Sequence, residues 1–357
     1  MTAGRVILVG PLAAPEMLAV FALSGDPVRL PGELKGGADA GIGGDWPRWR
    51  PGQGEVAGVA VRPDPALMRY LAIMGLSPRR HDGLAVWGHG DGGGADWSGD
   101  RAALMAEVAR DLLALPPDEP AADIARRLPR IAEIAWGRLR AALEADPSAC
   151  LPEADASRVE LLARREAYAR YFSVEEISLR HRRYDGGWSP VLDREVFRSA
   201  DAALLLPYDP GTDLVMVISQ FRIGPLARGQ AQCWMLEPIA GRIDAGERPE
   251  DAARREAQEE AGIEIGRIHA LPPHYPTPGA NSEFFYPFVG LADLSSQRAG
   301  AGFGLAEEGE DIATHILPRA ELLRLVMAGQ IQCGPLIAMA FWLDRMADQI
   351  AGSLAGS

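Results

Sequence analysis

The sequence predicts an α/β protein in two parts, an N-terminal α+β part and a C-terminal sandwich of helices around a mixed sheet. Three observations predict it. Apolar runs of strand length alternate with longer stretches of helical pattern. Residues 249–261 carry helix punctuation at both ends. Residues 145–157 (ADPSACLPEADAS) gather breakers with few large apolar side chains, which puts a domain boundary at 150/151. The parts are then 1–150 and 151–357.

The elements follow in order. Residues 5–12 (RVILVGPL) read as a short buried strand ending at Gly-Pro. The opening MTAGRVILVGPL has one Arg and no clear cleavage site, so it fits a strand better than a signal peptide. Residues 36–54, rich in Gly, Pro and Trp, read as loops, followed by a strand at 56–61 and a helix at 65–73. Residues 88–96 (GHGDGGGAD) are a loop, and Arg101 to Glu144 turns helical with a break between Pro116 and Pro120. The second part opens with a helical stretch near 158–171. VEEISLRHRRYDG and REVFR then read as strands around a turn, and ALLLPYD and LVMVISQFR as two more across PGTD. A helix over 249–261, strands through FFYPFVGLA, an acidic loop and a helical region at 319–349 complete the chain.

Charge narrows the function. The chain carries 36 basic and 49 acidic side chains, a net charge of −13. The first 150 residues hold 16 and 19 of these, the rest 20 and 30, so acidity concentrates in the second part. Such a protein is a poor partner for nucleic acid or an anionic membrane, and no apolar run is long enough to span a bilayer. Clustered carboxylates instead suit a cation-dependent enzyme. Cys150, Cys233 and Cys333 match no zinc spacing and, being odd in number, no disulfide framework. Three inert thiols in a reducing cytoplasm are expected. His81 and His89, in Gly-rich loops, read as solvent-exposed rather than as a metal pair.

The informative segment is Gly241–Ile263, GRIDAGERPEDAARREAQEEAGI. Pro249 suits the first helical position, Glu250 and Asp251 the first turn, and Gly262 the left-handed residue after the end. Three acids break the pattern. Glu256 and Glu260 are four apart on one face, Glu259 lies beside them, and like charges so spaced cost about 0.2–0.5 kcal/mol per pair. Glu259 and Glu260 also sit in the last turn, where the helix dipole disfavours anions. Ala253, Ala257 and Ala261 line an adjacent face that can pack closely on a sheet. A well-capped helix that breaks local rules points to function, and three converging carboxylates are hard oxygen ligands for an ion such as Mg²⁺.

Gly241, five residues, Glu247, seven residues, Arg255-Glu256, then Glu259-Glu260, Gly262 and Ile263 resemble the Nudix box, with Ala257 where the pattern asks for an aliphatic residue. The resemblance covers roughly 160–345, implies the Nudix α/β/α sandwich, and looks like the ADP-ribose pyrophosphatase branch. DAALLLPYDPGTDLVMVISQFR resembles the strand pair entering the core. LEPIAGRID resembles the approach to the box, its proline one place early. YPTPGANSE resembles the downstream loop, with Pro278 sixteen residues after Gly262, and GLAEEGEDI the acidic catalytic loop. The resemblance implies metal-dependent cleavage of ADP-ribose to AMP and ribose 5-phosphate, with Mg²⁺, or Mn²⁺, as cofactor. It implies Glu256, Glu260, the Ala240 carbonyl, Glu259 and Glu310 as metal ligands and Glu308 as general base. Gly241, Glu247, Arg255 and Gly262 are implied as structural residues of the box, Glu247 and Arg255 as an ion pair. Arg222 offers a guanidinium fork to a phosphate, and Glu237 and Glu283 are further substrate-binding candidates, Glu283 for a ribose hydroxyl. Trp234, Phe221 and Tyr275 are stacking candidates, though such aromatics more often belong to the core. A homodimer is implied as well.

Residues 5–85 resemble the gamma-glutamylcyclotransferase-like fold: Val9-Gly10-Pro11-Leu12 stands where that family shows Tyr-Gly-Thr-Leu, and DWPRWRPG and EVAGVAV resemble its next loop and strand. The glutamate that family needs is missing, because no acid occurs between Met68 and Arg80. A non-catalytic docking or dimer-stabilising module is implied. Bacterial proteins with this pairing are sometimes labelled tellurite-resistance proteins, a label without mechanistic content. Two other readings stand beside the leading one: a Nudix hydrolase of another target such as GDP-mannose or NADH, and a non-enzymatic ADP-ribose sensor. The intact Glu256, Glu259 and Glu260 weigh against the sensor.

Overall fold

A computed structural model describes residues 4–144, 155–170, 172–305 and 309–355. The chain folds as two compact units, Met1–Arg194 and Glu195–Ser357. The expected boundary at 150/151 lies outside the described residues.

The first unit opens with β1 (Val6–Val9), α1 (Pro15–Val20), β2 (Gly25–Lys35), β3 (Arg48–Val61), α2 (Pro65–Ile73), β4 (Arg79–His81) and β5 (Leu84–Trp87). Its sheet runs β2-β3-β1-β5-β4 and is mixed, since β1 is antiparallel to β3 and parallel to β5. The expected helix at 65–73 forms, with Asp64 accepting the Leu67 N–H at 2.7 Å ahead of Pro65. The loop expected over 36–54 ends earlier, because β3 starts at Arg48 and pairs with β2. Strand β2 contains Pro27 and Pro31 and escaped notice for that reason. It tolerates them because it is an edge strand, whose prolines need not donate to a second neighbour. The glycine-rich loops zip together instead of lying free: Gly36 N–H donates to Asp96, Gly90 N–H to the Pro47 carbonyl and Gly92 N–H to the Trp46 carbonyl. His81 and His89 are half-buried rather than solvent-exposed, each packed on Trp49 with ring centroids 5.9 and 5.8 Å apart.

Helices α3 (Ala102–Ala114), α4 (Ala121–Ala125) and α5 (Leu128–Ala141) follow, broken where the prolines predict. Next come β6 (Val159–Ala169), β7 (Ser173–His181) and β8 (Leu192–Arg198), a three-stranded sheet in that order whose last strand crosses the boundary along the chain. The helix expected at 158–171 is therefore strand β6. Its Leu, Ala, Arg and Glu favour helix locally, but it pairs with β7 along its length and places opposite charges across the ladder, Arg165 opposite Glu176 and Glu160 opposite Arg180. Tertiary pairing overrides the weak helix preference. Arg127 of α5's entry binds Glu119 at 2.5 Å and Glu166 of β6 at 3.0 Å, tying the helices to this strand.

The second unit holds β9 (Ala202–Asp209), β10 (Leu214–Phe221), α6 (Ile223–Arg228), β11 (Trp234–Glu237), β12 (Ile239–Arg242), α7 (Pro249–Ala261), β13 (Ile268–Ala270), β14 (Phe285–Leu291), β15 (Ala301–Phe303), β16 (Ile312–Pro318), α8 (Arg319–Met327) and α9 (Gly334–Ala355). The sheet order is β13-β14-β9-β10-β16-β15, mixed because β14 runs parallel to β9. Strands β9 and β10 pair only at their hairpin end. Beyond it β11 takes β10 as partner and β12 takes β9, the change falling at Pro238, which has no N–H to donate. Leu204, Leu206, Val215 and Val217 pack one face of the sheet against Leu336, Met339 and Leu343 of α9. Helix α7 covers the other face with Ala253, Ala257 and Ala261, all buried. Strands β9 and β10, near-continuous apolar runs buried on both faces, form the middle of the three layers of an α/β/α sandwich.

Candidate functional site

Helix α7 spans Pro249–Ala261, and Gly262 closes it at φ 62°, ψ 27°, the left-handed conformation its sequence position predicts. Its alanine face allows close approach to β12, and Gly241 allows more. A Cβ there would fall 1.8 Å from Glu256 Oε1 and 1.9 Å from its Cδ, so only glycine lets the Glu256 side chain lie across the strand.

Glu260 is 2% exposed, and its Oε2 accepts the Ala240 N–H at 3.0 Å. Burial pushes its carboxyl up to about 8; the Ala240 N–H opposes this, and the charges of Glu256 and Glu310 add to it. Burial likewise raises Glu256 to about 7 against the pull of Arg255. Arg255 is the hub of the box. It donates to Glu247 (3.1 and 3.0 Å), Glu256 (2.6 Å), Glu259 (3.1 Å) and the Arg242 carbonyl (3.0 Å). Burial works against its charge, but these bonds outweigh it and raise its pKa. Glu247 in turn accepts the Asp244 N–H, fastening the loop ahead of α7 to the helix.

The acidic loop reaches the same place. Gly304 N–H donates to the Glu259 carbonyl at 3.2 Å, and Glu310 Oε2 accepts the Leu305 N–H at 3.0 Å. Gly304 has φ +90°, and a Cβ on it would lie 2.7 Å from Glu310 Cβ. Nothing in the sequence signals this position, because its contacts are made by the fold. Glu308 and Glu307 lie outside the described residues.

Arg222, at the end of β10, donates to both oxygens of Glu237 (2.7–3.1 Å), a fork closed across the β10–β11 pair. Glu260 contributes to raising the Arg222 pKa, so the pair lies within electrostatic reach of the α7 acids. Glu283 accepts from Ser199 (3.4 Å) and Asn281 (3.3 Å), and burial raises it, with Arg222 close enough to oppose the shift. Ser199 and Asn281 escaped the sequence reading, since a short polar side chain in a loop has no distinguishing pattern. Phe221, Trp234 and Tyr275 are surface residues rather than core, 46%, 57% and 49% exposed, and Phe221 meets Trp234 edge to face across the ladder. Cys233 is buried and Cys333 half-buried, both free thiols, and burial raises Cys333 to about 11. Cys150 lies outside the described residues.

Among the described residues, no three His, Cys, Asp or Glu side chains stand converged as a ready ligand set. Arg255 holds Glu256 and Glu259 instead. The donor chemistry nonetheless fits a divalent cation: Glu260, buried, and Glu256, half-buried and paired with Arg255, are hard oxygen donors, with Glu310 near enough to raise both.

The chain matches the NUDIX domain family over residues 198–331. It is 38% identical over 186 residues to an ADP-ribose pyrophosphatase of Escherichia coli (strain K12), covering 52% of this chain and 88% of that protein. It is 35% identical over 197 residues to an ADP-ribose pyrophosphatase of Haemophilus influenzae, covering 55% and 90%. A GDP-mannose pyrophosphatase of Escherichia coli O1:K1 / APEC is 34% identical over 177 residues, covering 49% and 88%. A crystal structure described as an ADP compounds hydrolase aligns at 21% identity and a TM-score of 0.41, over 53% of this chain and 96% of that one.

Proposed function

The chain belongs to the NUDIX family of pyrophosphohydrolases, and on that footing we propose that it hydrolyses ADP-ribose to AMP and ribose 5-phosphate with a divalent cation, Mg²⁺ or Mn²⁺. The observation that carries this is a pair of carboxylates held over β12, Glu260 buried and Glu256 half-buried, with pKa values raised toward neutrality. Ionised acids in such a place call for positive charge. Glu256, Glu260 and the Ala240 carbonyl would hold the ion, with Glu259 and Glu310 as further ligands. A cation bound there polarises a phosphoryl oxygen and lowers the pKa of a water.

The chain's own residues do the rest. Arg255 and Glu247 fix the loop to α7 and keep the acids in place. Glu308 takes the proton of the attacking water. Arg222, oriented by Glu237, faces a phosphate, and Glu283 accepts from a ribose hydroxyl. Water adds to one phosphorus, the bridging oxygen leaves with the other, and two phosphomonoesters result.

The catalytic part is proposed as 151–357. The 197-residue match exceeds the 163 residues of the second unit, so it reaches back into the strands before it, which supports counting β6–β8 with this part. For 1–150 the gamma-glutamylcyclotransferase-like, non-catalytic reading is kept as a proposal, supported by a mixed sheet bearing helices. A homodimer is proposed, supported by exposed apolar side chains on β6, Leu161 and Leu162 at 54% and 46%. A cytoplasmic location rests on the free thiols.

The GDP-mannose pyrophosphatase relative favours a second reading, another nucleotide sugar as substrate. A panel of ADP-ribose, GDP-mannose and NADH with Mg²⁺ separates the two. ADP-ribose is expected to give the highest kcat/KM. A higher value for another compound overturns the substrate and leaves the chemistry.

A further inference from the structure

An open groove of about 790 Å³ lies at the end of the β6–β7 ladder, away from α7 in the sequence and wholly within the first unit. Its size is ample for a nucleotide. It is lined by Val159 together with Arg158, His181, Arg182, Arg183, Tyr184 and Asp185, so basic side chains crowd one spot of a chain whose net charge is −13. Backbone bonds build it. Arg182 N–H donates to the Arg158 carbonyl at 2.8 Å, bringing those residues side by side, and Arg183 N–H donates to the Gly187 carbonyl at 2.8 Å, closing a turn with Gly186 at φ +84°. Trp188 carries the Arg180 and Arg182 guanidinium carbons 4.9 and 4.2 Å from its ring centroid, which orients the Arg182 fork.

The charges do not cancel. Asp185 is taken up by Arg183 at 2.8 Å and by the Gly187 N–H at 2.9 Å. Arg180 is paired with Glu160 at 2.5 Å, and Arg158 feels Asp155 at the rim. Among the described residues, the Arg182 guanidinium donates only to the Gly186 carbonyl, at 3.3 Å. Tyr184, 91% exposed at the turn, offers an aromatic face beside these guanidiniums.

We propose that this groove is a second binding site, distinct from the α7 site, for a nucleoside monophosphate, with Arg158 and Arg182 taking the phosphate and Tyr184 the base. Guanidinium forks bind phosphate bidentately, and an exposed phenol ring stacks on a heterocycle. The site goes beyond the proposed hydrolysis and does not depend on it.

The test is calorimetric titration of the full chain with AMP, adenosine and inorganic phosphate, on wild type, Arg158→Gln/Arg182→Gln and Tyr184→Ser. Arg182 and Tyr184 are exposed and Arg158 is half-buried, and a circular dichroism spectrum matching wild type shows that each variant is folded. With chelator present, so that ADP-ribose stays intact, wild type is expected to take up AMP that excess ADP-ribose does not displace. The double variant is expected to bind that AMP about tenfold or more weakly, the scale of one lost charge-assisted bond. Tyr184→Ser is expected to level AMP with inorganic phosphate. Hydrolysis without added AMP should be unchanged in both variants. Equal AMP affinity in wild type and double variant, complete displacement by ADP-ribose, or equal affinity of wild type for phosphate and AMP would each overturn the proposal.

Discussion

Glu260 joins two properties that a stable protein avoids in one residue: a carboxylate, and near-complete burial. Its folded pKa of about 8 lies above its ordinary 4.5. Between those values the folded state holds a proton that the unfolded state has lost, so stability falls as pH rises through that window. With a chelator present, Tm should therefore decline from pH 5 to 8, and saturating Mg²⁺ should flatten the decline. A scan showing no such difference would remove the cation from Glu260. Glu260→Gln separates stability from activity. In chelator at pH 8 it should gain on the order of 2 kcal/mol by removing an uncompensated charge, while hydrolysis drops at least about 10²-fold. Chemical denaturation beside an activity assay reads both. Glu308→Gln should lose about 10²–10⁴-fold in kcat at unchanged metal affinity, and an unchanged rate would move the base elsewhere.

At the scale of the element, α7 was legible to the residue. Pro249 and Gly262 mark its ends by their own backbone limits, and no distant contact is needed to read them. Gly241 was legible only as a motif position. The fold supplies its reason, the missing Cβ against Glu256. Gly241→Ala should force β12 and α7 apart and cost about 1–3 kcal/mol, as overpacking does, with activity lost at temperatures where the variant stays folded. Arg255→Ala should cost about 2 kcal/mol, because Glu247, Glu256 and Glu259 lose one shared donor. Thermal melts check both. Strand β6 was misread because Leu, Ala, Arg and Glu carry helix preference locally, while its ladder with β7 is written in residues that follow it in the chain.

Across the whole molecule, the breakers at 145–157 mark a change of composition, while compactness groups β6 and β7 with the residues before them, where the Arg127–Glu166 pair ties β6 to the preceding helices. Such a link joins residues 39 apart and has no local signal. The homodimer proposal belongs at this scale: light scattering should return twice 38.3 kDa, and a monomer at micromolar concentration would contradict it. No helix among the described residues is long and apolar enough to cross a membrane.

The central claim is that the acids on α7 work through a bound cation to split a pyrophosphate. Its most direct test is the product balance of ADP-ribose incubated with the purified full chain, with Mg²⁺ or with chelator. Equal amounts of AMP and ribose 5-phosphate should appear with the cation and essentially none without it. Intact ADP-ribose under both conditions, or cleavage as fast in chelator as in Mg²⁺, would contradict the account.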